Sequence, residues 1–116
     1  MTPDLIYHIT TAAHWSRAQS EGAYRGDTLE TEGFIHTSLA RQLLGVAHRF
    51  YRGRSGLVVL CIDPAKLRSE LRYEAADIGD HFPHVYGPLN IDAVIEVLDF
   101  PVSPDGSFQL PVAIKP

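Results

Sequence analysis

The sequence predicts an α+β fold, on three observations. Stretches with strand character outnumber helical ones, only two helical periodicities of any length occur, and both fall in the first half instead of alternating with the strands. A chain of 116 residues, 45% of them hydrophobic, is near the usual size of one unit, so a single domain spanning 1–116 is expected. No internal repeat, linker or low-complexity tract divides it.

In order along the chain, Leu5, Tyr7 and Ile9 alternate with Ile6 and His8, which predicts a short first strand with His8 on the face opposite Leu5 and Tyr7. Thr10 or Thr11 can cap the helix that follows through Trp15 and Ala18, and Gly22 is placed to end it. Residues 24–31 read as a loop into a second strand over 33–37. Ser38 is a suitable N-cap, and Leu39, Leu43, Val46 and Phe50 recur at helical spacing, so a second helix is expected to about Tyr51. Gly53 and Gly56 bracket a turn into the apolar strand LVVLCI, after which Asp63 and Pro64 open one helical turn. Residues 71–74 form the next strand, and 75–89, with Gly79, Pro83, Gly87 and Pro88, are expected to be a long ordered loop. A central strand follows over 93–100, stopped by Pro101, and the turn at Pro104, Asp105 and Gly106 leads to a last strand over 107–113.

Composition removes several function classes. No stretch approaches the roughly 20 apolar residues of a membrane helix, and the N-terminal MTPDLIYHI has no basic start or apolar segment of an export signal, so a cytoplasmic protein is expected. Cys61, the only cysteine, lies inside the LVVLCI run and reads as a buried, inert thiol. A net charge of −4 argues against non-specific nucleic-acid binding, although Arg17, Arg25, Arg41, Arg49, Arg52 and Arg54 crowd the first half and leave room for a locally anionic small ligand. The oligomeric state is not encoded in any pattern of the sequence.

Two histidine segments carry the chemistry. GFIHTS places His36, Thr37 and Ser38 where a strand gives way to a helix, combining an imidazole with hydroxyls and free backbone amides that suit an anion or a sugar hydroxyl. The plainer alternative is that Ser38 only caps the helix and His36 is a satisfied, half-buried side chain. FPHVYG supplies His84 and Tyr86 two residues apart, hence on one face of an extended backbone, with Pro83 disfavouring helix at Phe82; the alternative is that Phe82 and Tyr86 plug the core beneath the loop. Glu74 ends the strand LRYE on the side of Arg72, where a carboxylate could stabilise developing positive charge, or simply be solvated. His8, His36, His84 and Glu74 could supply a zinc set, but none has the close spacing typical of ligand pairs, and no metal is expected. GxSxG, HExxH, GxGxxG and P-loop patterns are absent.

The succession IYHI, a Trp-containing helix, EGFIHTS, a helix ending in FY, a strand ending in IDP, a Glu and then FPHVYGPL resembles the bacterial domain-of-unknown-function family 952, from Ile6 to about Val97. That family is similar in fold to the ADP-ribosylation superfamily, whose members have a split β-sheet and include ADP-ribosyltransferases and RNA 2′-phosphotransferases. The resemblance implies an ADP-ribosylation-like split sheet here, with two main helices in the N-terminal half. It also implies a site in which His8 holds a nicotinamide ribose, GFIHTS lines the nicotinamide pocket, and Glu74 is the late acid, with Asp77 or Asp80 as substitutes.

The expected function is accordingly an NAD- or nucleotide-dependent ADP-ribosyl or phospho-ribose transferase. Glu74 and His36 are its catalytic candidates, and His8, Thr37, Ser38, His84 and Tyr86 contact a nucleotide or other small-molecule ligand. NAD enters as substrate, not as bound cofactor. Ile9 stands where the first motif of the resembled superfamily has glycine, which keeps a non-catalytic sensor or binding module as an alternative; a metal-dependent hydrolase is the third.

Overall fold

The computed structural model describes residues 4–75 and 80–115. Its centre is the apolar run Leu57–Ile62 (β4), in which every residue is buried. Val58, Leu60 and Ile62 pack on one side with Trp15, Ala18, Ile35 and Val85, while Leu57, Val59 and Cys61 pack on the other with Tyr7, Leu43, Ala47 and Phe100. A strand covered on both faces needs no alternation, which is why it reads as a continuous hydrophobic run. Each such side chain contributes roughly 1.5–3 kcal/mol. Burial pushes the Cys61 thiol up to about 12, so it stays protonated and inert.

β4 lies between Ile6–Thr11 (β1) and Val94–Asp99 (β8), antiparallel to both. Thr11 ends β1 and caps the helix Ala12–Glu21 (α1), its Oγ1 accepting from the His14 amide at 3.0 Å; Gly22, left-handed at φ 87°, closes it. Ala23–Tyr24 (β2) pairs with Leu89–Asn90 (β7). The short helix Leu29–Glu32 (α2) then leads into Ile35–His36 (β3).

A second antiparallel sheet has the order β3-β6-β5, where Glu70–Ala75 is β5 and His81–Tyr86 is β6. Ile35, Val85 and Leu71 turn one face of it into the core shared with α1 and β4. The opposite face carries the candidate site.

Four expectations are corrected. Residues 24–31 are not a continuous loop, since β2 ends at Tyr24 and α2 begins at Leu29. The segment 75–89 is not one loop: β6 and the first residue of β7 lie inside it, with Pro83 tolerated in the middle strand and its carbonyl accepting from Thr37. Gly79 falls outside the described residues. Ser38 does not cap the second helix, because its amide and carbonyl both bond to Tyr7; a 3₁₀ turn, Ala40–Gln42, starts two residues later and runs into Leu43–Phe50 (α3), with the Gln42 side chain accepting from the Leu39 amide at 2.9 Å. Residues 107–113 form no strand. Pro111 has no N–H to donate, the Phe108 amide bonds instead to His48 Nε2 at 2.9 Å, and the segment serves by burying Phe108 and Ile114 against Phe100. Mixed helices and antiparallel sheets make the fold α+β. Among the described residues no helix is long and apolar enough to cross a membrane.

Candidate functional site

Thr37 and Ser38 join the two sheets. Ser38 and Tyr7 exchange backbone hydrogen bonds of 2.8 Å in both directions, while the Thr37 hydroxyl donates to the Pro83 carbonyl at 2.7 Å. Both residues are only 3% exposed. The GFIHTS segment is therefore pinned to β1 on one side and β6 on the other, and this fixes His36 between them.

β3 and β6 are in register His36 opposite His84, and β6 and β5 are in register His84 opposite Arg72. Side chains two apart share a face, so Phe34, His36, His84, Tyr86, Arg72 and Glu74 all stand on the side of the sheet away from the core. Phe34 stacks on His84 with ring centroids 4.1 Å apart and planes at 20°, and it also contacts His36 and Tyr86 at 4.8 and 5.2 Å. The His36 and His84 rings meet edge-on at 5.2 Å. His36 Nε2 lies 3.2 Å from both carboxylate oxygens of Glu32 at the end of α2.

His8 has both ring nitrogens engaged inside the protein. Nδ1 donates to the His36 carbonyl at 2.6 Å, and Nε2 lies 2.7 Å from the Tyr24 hydroxyl, which is itself in contact with Thr10 Oγ1 at 3.0 Å. Because a carbonyl only accepts, Nδ1 carries the proton and a neutral ring receives the Tyr24 hydroxyl at Nε2. Burial pushes the imidazole down to about 4, against the opposing pull of the His36 carbonyl.

At the other end of the row, Glu74 Oε1 accepts from His84 Nδ1 at 2.9 Å and from the Tyr86 hydroxyl. The Tyr86 and His84 donors, in that order, hold the Glu74 carboxyl below its usual range, and the same bond raises Tyr86. The Arg72 guanidinium lies 4.3 Å over the Tyr86 ring and is itself bonded to Glu70. His8, His36, His84 and Glu74 are thus linked successively across the sheet; they do not aim at one point.

A cleft of about 970 Å³ opens along this row. Phe34, His36 and His84 line one wall, His8, Thr37 and Ser38 the floor, and Arg49 and Arg54 the side formed by α3 and the turn after it. Glu74 and Tyr86 are not among its lining residues. Arg41 also lines the cleft but is bound to Asp80 at 2.8 Å, and Gln42 Nε2 donates to the same carboxylate at 2.9 Å. Asp80 is therefore held well below the usual carboxylate range by Arg41 first and Gln42 second. Asp77 lies outside the described residues. Among the described residues, no three His, Cys, Asp or Glu side chains converge as a metal-ligand set.

Sequence reasoning missed Phe34, Tyr24 and Glu32. Phe34 was recoverable, since it lies two residues from His36 and must share its face in an extended chain. The other two depend on tertiary approach.

No curated protein matches this chain. The crystal structure of protein CC0527 from Caulobacter crescentus is similar to it, with 36% identity, 91% of this chain and 94% of that one covered, and a TM-score of 0.85. The solution NMR structure of CC0527 matches at 36% identity, 91% and 92% coverage and a TM-score of 0.80. The family model of proteins of unknown function named DUF952 matches residues 9–97, and the chain belongs to that family.

Proposed function

We propose that the cleft binds NAD or a related nucleotide or phosphorylated ribose, and that the protein is a transferase of ADP-ribosyl type acting at the ribose. One observation carries this reading: a cleft of about 970 Å³ combines an aromatic wall of Phe34, His36 and His84 with Arg49 and Arg54, neither of which has a carboxylate partner among the described residues. Aromatic and imidazole rings suit a planar base, and guanidinium groups suit phosphate. The volume lies at the upper end of the roughly 300–1,000 Å³ common for small-molecule sites. The division of the strands into separate antiparallel sheets, β1-β4-β8 and β3-β6-β5 among them, supports the split-sheet reading implied by the resemblance to the ADP-ribosylation superfamily.

The test is incubation with NAD, followed by assay of released nicotinamide and by melting temperature. A ligand that binds only the native state raises stability by about 2.7 kcal/mol at 100 times its Kd. Absence of both nicotinamide and a melting shift at millimolar NAD, ADP-ribose and ribose 5-phosphate rejects the proposal.

A second reading, a non-catalytic binding module, is favoured by one specific arrangement. The two side chains on which transfer in the resembled superfamily would depend are occupied elsewhere, His8 with His36 and Tyr24, and Glu74 with His84 and Tyr86. Binding of ADP-ribose without any turnover of NAD selects it.

A further inference from the structure

We propose that His84 is a general base of the cleft and that Glu74 is a positioning residue acting through it. The reading of the ligand as NAD-like supplies only the identity of the reacting partners; the assignment of the base stands on the side-chain geometry.

Glu74 Oε1 lies 2.9 Å from His84 Nδ1 and also receives the Tyr86 hydroxyl. A carboxylate can only accept from both, so Nδ1 carries the proton, and the lone pair of the neutral ring sits on Nε2. The ring is immobilised by the Phe34 stack at 4.1 Å and by its place in the middle strand of the sheet, where the residue is 7% exposed. Among the described residues Nε2 has no hydrogen-bond partner, and no fully sealed side-chain nitrogen or oxygen lacks one. His84 lines the cleft and Glu74 does not, so the imidazole stands between the carboxylate bonded to its Nδ1 and the space where a ligand would sit.

The charged and titratable groups around the ring are Glu74 and Arg72 on β5, Tyr86 on β6, and His36 on β3 with Glu32 beyond it. Glu74, held ionised by its two donors, stabilises the imidazolium that forms when Nε2 takes a proton. This resolves the otherwise unfavourable placement of Glu74, whose charge reaches the cleft through the imidazole. With NAD and water, the water oxygen bonds to the anomeric carbon of the nicotinamide ribose. The bond from that carbon to the nicotinamide nitrogen breaks, and its electron pair stays on nicotinamide. The water proton goes to His84 Nε2 and is then released to solvent, leaving ADP-ribose and nicotinamide.

The experiment combines ¹⁵N NMR of the imidazoles in the full chain, carbethoxylation by diethyl pyrocarbonate, and NAD turnover, in wild type, E74A, E74Q and H84Q. In wild type the neutral His84 should show a protonated Nδ1 and a lone pair on Nε2, and should be acylated at Nε2; E74A should lose the single tautomer and react more slowly, and E74Q, which can still accept from Nδ1, should retain the tautomer. With NAD, H84Q should lower kcat by about 10²–10⁴-fold. A wild-type His84 protonated on Nε2, or inert to acylation, overturns the assignment, as does H84Q turning over NAD at the wild-type rate. If no variant turns over NAD but tautomer and acylation behave as stated, the NAD-transfer reading fails and the base assignment stands.

Discussion

Acidifying the protein from about pH 7 to about pH 4.5 tests how the cleft floor is built, because in this range His8 takes up its proton mainly when the chain unfolds. Burial pushes this imidazole from 6.5 down to about 4 in the folded chain, where His36, His14 and Asp27 are the ionisable groups around it. Between those two values the unfolded chain binds a proton at residue 8 and the folded chain does not. Unfolding then takes up a proton, so the stability His8 confers is complete above 6.5 and is lost progressively as pH falls towards 4. A gap of roughly 2.5 pH units at 1.36 kcal/mol each sets an upper limit of about 3 kcal/mol; partial contact of the ring with solvent brings the expected loss to about 1–3 kcal/mol. Urea denaturation of wild type and His8→Gln across this range measures it. The variant lacks the titrating group, so its stability should fall less steeply, and the advantage of wild type at neutral pH should shrink by that amount. Parallel profiles for the two proteins, or a His8 imidazole resonance that titrates near 6.5, would refute the buried, doubly bonded placement of His8.

Further outcomes follow from the packing. Leu60→Ala, at a position with 0% exposure in the central strand, should cost about 2–5 kcal/mol in chemical denaturation. Thr37→Val leaves the Pro83 carbonyl without its 2.7 Å side-chain donor at the junction of the sheets and should cost about 1–3 kcal/mol, while Thr37→Ser should restore most of it. Gly87→Ala should lower the melting temperature, since a Cβ there would come within 2.9 Å of Ser69 Cβ at a φ of 150°; equal melting temperatures would contradict the close approach of β6 to that turn.

Local signals made much of this fold legible. LVVLCI announced a strand buried on both faces, Thr11 and Gly22 marked the ends of α1 by chemistry that acts within a few residues, and the two-residue spacing of His84 and Tyr86 placed them on one face. What depended on distant partners was hidden. Ser38 has the chemistry of a helix cap, but pairing with Tyr7, 31 positions earlier in the chain, prevails over it. His8 is satisfied by Tyr24 and by the carbonyl of His36, and Glu74 meets His84 only because β5 and β6 pair in one particular register. The same spacing that placed Glu74 beside Arg72 could not reveal that its carboxylate would turn to an imidazole instead of to the cleft. The failed strand at 107–113 had a warning in Pro111, outweighed there by the apolar run around it.

The most direct measurement of the central claim is an NMR titration of the histidine side chains with ADP-ribose. Saturable shifts of the His36 and His84 imidazoles, reduced in affinity by Arg49→Ala and Arg54→Ala, are the predicted result; a titration to millimolar ligand that leaves both imidazoles unmoved would contradict the assignment of this cleft as a nucleotide-binding site.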